Sequence, residues 1–163
     1  MATPDFILAL RKKIGSDPLW LSGVTAVVMR EDRVLLAKRA DNGTWTPVTG
    51  IIDPGEQPAD AAAREVLEET GIVAVPERLA MVHVTDPVVY DNGDQTQYLD
   101  LVFRFAWQSG LPRPADGENT AVDWFPLDDL PPMSDDMCKR IAAAVSSEQA
   151  AQYVVSPRLA GNA

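Results

Sequence analysis

The stretch GIIDPGEQPADAAAREVLEETGI, residues 50–72, organises the reading of the whole chain. Its second half is the best helix in the sequence, expected from about Pro58 to Thr70. Proline suits the first turn, where its missing N–H has no intrahelical partner to lose, and Gly71 suits the position just past the end, where a left-handed backbone stops a helix. Asp53-Pro54-Gly55 ahead of it is a turn signal. On a helix, Glu65, Glu68 and Glu69 share an arc of about 100°, and Ala59, Ala63, Val66, Leu67 and Thr70 lie opposite, the expected core face. The Glu65–Glu68 and Glu65–Glu69 pairs repel, each by roughly 0.2–0.5 kcal/mol. A divalent cation offsets that repulsion, and hard oxygen ligands suit Mg²⁺ or Mn²⁺. A glutamate stripe also describes an ordinary solvated helix face, so the neighbouring residues have to decide.

Upstream, residues 23–30 and 34–39 read as two strands from their β-branched and aliphatic content, turned at Glu31-Asp32-Arg33. Residues 45–49 form a short strand in which Pro47, unable to donate, requires edge or irregular pairing. Downstream, residues 78–86 and 98–107 are longer strands turned at Asp91-Asn92-Gly93-Asp94. Residues 121–126 make a last strand and residues 134–146 a second helix. Strands and helices without regular βαβ alternation point to a mixed-sheet α/β sandwich. Near the N-terminus FILAL (residues 6–10), followed by Arg11-Lys12-Lys13, predicts an amphipathic helix laid on the domain. The expected partition is an N-terminal extension over 1–20, a domain over 21–146, and a tail over 147–163 that frays after Ser156.

Composition narrows the function. A chain of 163 residues suits one domain and buries enough surface to fold without staples. The 46% hydrophobic and 23% charged residues argue against wholesale disorder. Fourteen Lys and Arg against 24 Asp and Glu leave a net charge of −10, which repels a polyanionic backbone and argues against a nucleic acid polymer as partner. A small phosphorylated ligand stays open if a cation bridges it. One cysteine, Cys138, and one histidine, His83, allow neither a disulfide framework nor a Cys/His zinc cluster, and both are expected in packing roles. No stretch has the pattern of an export signal or the ~18 apolar residues of a membrane span. The expectation is a cytoplasmic protein with no membrane partner.

Gly50, Glu56, Arg64, Glu65, Val66, Glu68, Glu69, Gly71 and Ile72 fill every fixed position of the pattern G-x5-E-x7-R-E-U-x-E-E-x-G-U, with U aliphatic. The stretch closely resembles the Nudix box. The resemblance extends to residues 34–39 and 45–50, which look like the family's second and third strands, and to Trp124–Leu130, which resembles its late strand and turn. It covers about residues 22–146. It implies an α/β/α sandwich around a mixed sheet, and hydrolysis of a nucleoside diphosphate linked to another moiety, by water attack on phosphorus with Mg²⁺ or Mn²⁺.

Roles by position follow from the same resemblance. Glu65, Glu68 and Glu69 would ligate metal, with the backbone carbonyl of Thr49, where many members carry glycine. Glu56 would join the metal site or accept a hydrogen bond from Arg64, which orients a box glutamate. The general base is either Glu65 or a carboxylate from the loop ahead of the last strand, here Glu118. Arg39 matches a strand-end arginine that contacts substrate phosphate, and Trp45, Tyr90 and Tyr98 are available to stack on a base. Pro87 lies near a proline of ADP-ribose-hydrolysing relatives and Tyr90 near a tyrosine of dinucleoside-polyphosphate relatives, so the substrate stays open among ADP-ribose, nucleotide sugars, dinucleoside polyphosphates and nucleoside triphosphates. The rival reading is a non-catalytic Nudix-fold nucleotide-binding sensor; such sensors often lose metal glutamates, which this chain keeps. The expected partner is a small nucleotide, and a homodimer is left open.

Overall fold

The computed structural model describes residues 3–156. Its spine is β1 (Leu19–Arg30), buried without alternation from Gly23 to Met29, as a strand must be when helices cover both faces of its sheet. The other strands are β2 (Arg33–Arg39), β3 (Trp45–Thr46), β4 (Val48–Ile51), β5 (Val73–Val84), β6 (Val88–Val89), β7 (Gln95–Ser109), β8 (Asn119–Pro126) and β9 (Gln152–Tyr153). The helices are α1 (Asp5–Ile14), α2 (Pro58–Thr70) and α3 (Asp135–Val145). The sheet runs β3-β2-β1-β7-β5-β9, with β4 also on β1, β6 on β7 and β8 on β2. β1/β7 and β5/β9 are parallel and the other pairs antiparallel, so the sheet is mixed.

Alternate residues of β1 feed two cores. Val24, Ala26 and Val28 join Leu35, Val48, Phe105 and Ile72 beneath Ala61, Ala62 and Val66 of α2. Val27 and Met29 join Val34, Leu36, Met81 and Val102 beneath Ile141, Ala143 and Ala144 of α3. The result is the expected α/β/α sandwich. Pro47 marks where the chain changes partner: Thr46 pairs with Ala37 of β2, and Val48 with Ala26 of β1. β4 hangs on β1 through Gly23↔Ile51, Val24↔Gly50, Thr25↔Thr49 and Ala26↔Val48, which places Thr49 and Gly50 beside the central strand.

Several local expectations change. α2 has the expected bounds, with Pro58 in its first turn and Gly71 at φ 69°, but a different buried face. Ala61, Ala62, Glu65, Val66, Glu69 and Thr70 are buried, while Leu67 is 50% exposed. The helix is rotated toward its carboxylates because the surface beneath receives them, as described below. β1 and β5 begin earlier than expected; Leu19–Ser22 gains parallel partners in β7, and register shifts around Pro76 let β5 continue past a residue without a donor. β9 is too short to carry a pattern and was not expected. α1 buries only Ile7, leaving Leu8 and Leu10 exposed. It is tied down instead by Arg11, whose guanidinium donates to the Gln95 carbonyl at 2.7 Å and lies 3.5 Å from Asp94. The expected fraying after Ser156 falls outside the described residues.

Cys138 is exposed rather than packed. His83 is buried, but in a polar network rather than apolar packing. Its Nε2 lies 3.2 Å from Asp100 Oδ2, which also accepts from Thr25 Oγ1 at 2.9 Å and faces Arg140 Nη1 at 3.2 Å. Arg140 donates to Thr25 Oγ1 at 2.8 Å and to Asp136 at 2.5 Å, so α3 is bound to the sheet by paired charges. Among the described residues, no helix is long and apolar enough to cross a membrane.

Candidate active site

Glu65 is 3% exposed because Gly50 of β4 leaves room for it: a Cβ at Gly50 would stand 2.3 Å from Glu65 Cγ. Burial pushes this carboxyl up to about 7; Arg64 works against the shift, and the charges of Glu69 and Glu68 add to it. Arg64 is the hub of the group. Its Nε and Nη2 meet the two Glu56 oxygens at 2.8 and 2.9 Å, and its Nη1 reaches Glu65 Oε1 at 2.9 Å and Glu68 Oε2 at 3.2 Å. Glu56 Oε2 also accepts from the Asp53 N–H at 3.2 Å, closing the turn before α2 onto the same carboxylate. The bidentate contact with Arg64 holds Glu56 below the usual carboxylate range, against the opposing effect of burial. Of the two roles open to Glu56, its geometry displays the hydrogen bond with Arg64. Glu68, with a side chain 53% exposed, faces solvent at the edge of the group.

Glu69, one helical turn from Glu65, is 7% exposed and accepts from Asn119 Nδ2 at 2.9 Å. Burial raises its pKa, and the Asn119 hydrogen bond opposes the shift. The loop between β7 and β8 brings two more carboxylates here. Glu69, Asp116 and Glu118 each offer an oxygen within 4.8 Å of the others. Asp116 Oδ1 accepts from the Glu118 N–H at 3.0 Å, and the Glu118 carbonyl accepts from the Ala40 N–H at 2.8 Å, tying the loop to the end of β2. Asp116 and Asn119 were not expected in the site. Their only sequence signal is a polar run, Asp116-Gly117-Glu118-Asn119, just ahead of the last long strand.

Arg39 ends β2 beside this group. It forms a bidentate pair with Asp41 at 3.0 and 2.5 Å, which raises its pKa against the effect of burial, and it lies near enough to Glu69 and Tyr90 to feel both. The pair is exposed, so it contributes little to stability and can be exchanged. Tyr90 is exposed, and its hydroxyl lies 3.0 Å from that of Tyr98. Trp45 instead packs edge-on to Phe125 at 4.8 Å, against the α3-side core. Thr49 lies beside Gly50, with its backbone paired to Thr25. The donors gathered here are carboxylate oxygens, two of them buried and raised in pKa, the chemistry that suits a hard divalent cation.

The model of the NUDIX domain matches residues 20–144. A MutT-like protein of Streptomyces ambofaciens is 40% identical over 116 residues, covering 71% of this chain and 70% of that protein. The NAD-capped RNA hydrolase NudC of Vibrio cholerae is 29% identical over 113 residues, 68% of this chain, which spans only 39% of that relative's length. Among solved structures, a MutT NUDIX hydrolase from Burkholderia pseudomallei superposes with a TM-score of 0.60 at 27% identity, over 78% of this chain and 99% of its own.

Proposed function

The chain belongs to the Nudix family of hydrolases, which cleave pyrophosphate bonds in nucleotide derivatives and generally need a divalent metal, and from that premise we propose that its substrate is a nucleoside diphosphate linked to a second moiety, ADP-ribose or a nucleotide sugar, or a nucleoside triphosphate. The observation that carries the reading is the meeting of buried Glu69 with the loop carboxylates Asp116 and Glu118, one helical turn from buried Glu65 and near Arg39, whose own ion pair is exposed.

In this reading Glu65, Glu68 and Glu69, joined by Asp116 and the Thr49 carbonyl, hold Mg²⁺ or Mn²⁺. When bound, the cation neutralises pyrophosphate charge and lowers the pKa of the attacking water. Glu56 anchors Arg64, and Arg64 in turn fixes Glu65 Oε1, so the carboxylate is oriented before substrate arrives. Arg39 releases Asp41 to take a phosphate oxygen, a bidentate exchange of like geometry. Tyr90 would stack on the base, a role its exposure and its nearness to Arg39 support. Trp45, engaged with Phe125, has its ring committed to the core.

We assign the general base to Glu118. Glu65 is 3% exposed, whereas Glu118, on the loop, is less buried. Glu118 takes the proton as the water oxygen bonds to phosphorus and the bridging P–O bond breaks toward the leaving phosphate. The intact glutamates favour this over the sensor reading.

The test is a hydrolysis panel over ADP-ribose, nucleotide sugars, dinucleoside polyphosphates and nucleoside triphosphates with Mg²⁺ or Mn²⁺, read by chromatography of the nucleotide products or by phosphate released after a coupled phosphatase and pyrophosphatase. It is followed by single-turnover rates of Glu118→Gln at saturating metal and substrate. A fall of about 10²–10⁴-fold is expected for a lost base. A rate within about threefold of wild type would transfer the role to Glu65. No turnover on any panel member would overturn the substrate assignment.

A further inference from the structure

The β7–β8 loop is strapped along the last turn of α2. Its sequence over residues 110–118 is GLPRPADGE. Pro112 and Pro114 have no N–H, and each confines the residue before it to extended backbone. Within residues 112–115 only Arg113 and Ala115 can donate from the main chain, and both donate to α2. The Arg113 N–H reaches the Thr70 carbonyl at 3.0 Å, and the Ala115 N–H reaches the Glu69 carbonyl at 3.2 Å. These are carbonyls that a helix C-terminus leaves without an intrahelical partner.

The approach is backbone against backbone. Gly110 enters the loop at φ 97°, and a Cβ there would stand 2.5 Å from the Gly71 carbonyl oxygen. Gly71, at φ 69°, could carry a Cβ only 3.1 Å from Arg113 Nε. Glu69 therefore does two things: its carbonyl anchors the loop at Ala115, and its carboxylate meets the Asp116 and Glu118 carboxylates that the loop delivers just beyond that anchor.

We propose that residues 112–115 are a rigid strut, and that Arg113 and Ala115 are positioning residues which, through their main-chain N–H groups, set Asp116 and Glu118 at working distance from Glu69. The proposal rests on the role given to those two carboxylates above. Alternating prolines hold the segment extended, and the N–H groups between them fix it to the helix that carries the other ligands. A displacement of about 1 Å at reacting groups costs on the order of 10²-fold in rate, so such a strut is worth its stiffness.

The test compares Arg113→Pro and Ala115→Pro, which keep the segment extended but remove one donor each, with Arg113→Ala, which keeps the donor and removes the side chain. Four quantities are read: single-turnover rate, substrate KM, Mn²⁺ affinity by titration without substrate, and hydrogen exchange at the Glu118 amide. Each proline variant should lose about 10–100-fold in rate and about tenfold in Mn²⁺ affinity, with faster Glu118 exchange and substrate KM changed less than about threefold. Arg113→Ala should stay within about twofold of wild type, and Arg113→Pro should cost less on the Glu118→Gln background than in wild type, the remainder being the share that Asp116 carries. Wild-type rate and Mn²⁺ affinity in both proline variants, an equal loss in Arg113→Ala, or a fully additive loss on the Glu118→Gln background would overturn the proposal. If a proline variant does not fold, Pro112→Gly combined with Pro114→Gly keeps both donors and frees the backbone; unchanged rate and Mn²⁺ affinity there would likewise overturn it. If Glu118→Gln turns over normally while the proline variants still lose Mn²⁺ affinity, the base assignment fails and the strut stands.

Discussion

Glutamine at position 65 should make the metal-free protein more stable at alkaline pH, although it replaces a buried, hydrogen-bonded residue. Burial on Gly50 pushes the Glu65 carboxyl from its ordinary 4.5 up to about 7. A folded-state value above the unfolded one means that this group's stabilising contribution is complete below about pH 4.5 and is lost as pH rises through 7. Above pH 8 the ionised carboxylate therefore costs the fold about 3 kcal/mol, a figure already net of the attraction of Arg64. Glutamine carries no charge and removes that cost, while its amide nitrogen displaces one acceptor oxygen at about 1 kcal/mol. The net gain is about 2 kcal/mol at pH 8, or roughly 4–8 °C in Tm for a domain of this length. At pH 4.5 the gain should vanish. The assay is thermal and urea unfolding of wild type and Glu65→Gln from pH 4.5 to 8.5 in chelator, repeated with saturating Mg²⁺. Metal should invert the order by stabilising the wild type more. A stability difference that does not change with pH, or a wild type more stable at pH 8 in chelator, would refute the reasoning.

Three further outcomes are expected. Glu69→Gln keeps an acceptor for Asn119 and should fold normally, yet lose most metal-dependent turnover; unchanged activity in saturating Mg²⁺ would remove Glu69 from the ligand set. Gly50→Ala places a Cβ 2.3 Å from Glu65 Cγ, so it should lower stability by about 1–3 kcal/mol in urea titrations and displace Glu65 enough to lower the rate at least about tenfold; wild-type values for both would show that Gly50 is not the seat of Glu65. Arg140→Met leaves the Asp100 carboxylate buried without its guanidinium and should cost about 3–5 kcal/mol in unfolding free energy, and a loss below about 1 kcal/mol would mean that the network contributes specificity rather than stability.

Much of this protein is written in short-range patterns. Pro58 and Gly71 bound α2 because the conformations of both residues are local properties, and the spacing of Gly50, Glu56, Arg64 and the glutamates marks the candidate site within one short stretch of chain. Pro47 likewise announces a break in pairing, because a missing donor is missing in any context. The face that α2 buries is another matter. Periodicity puts Leu67 inside and Glu65 and Glu69 outside, and the folded chain does the reverse. The hollow that admits Glu65 belongs to Gly50 on another element, and the amide that satisfies Glu69 belongs to Asn119, far along the chain. His83 reads alone as a packing residue and becomes part of a charged network only when Thr25, Asp100 and Arg140 arrive from three other elements. Asp116 reaches Glu69 through two hydrogen bonds onto the end of α2. Propensity, capping and turn chemistry act between near neighbours and can be read residue by residue; where a polar side chain can be buried depends on partners that only long-range pairing of the backbone brings into reach.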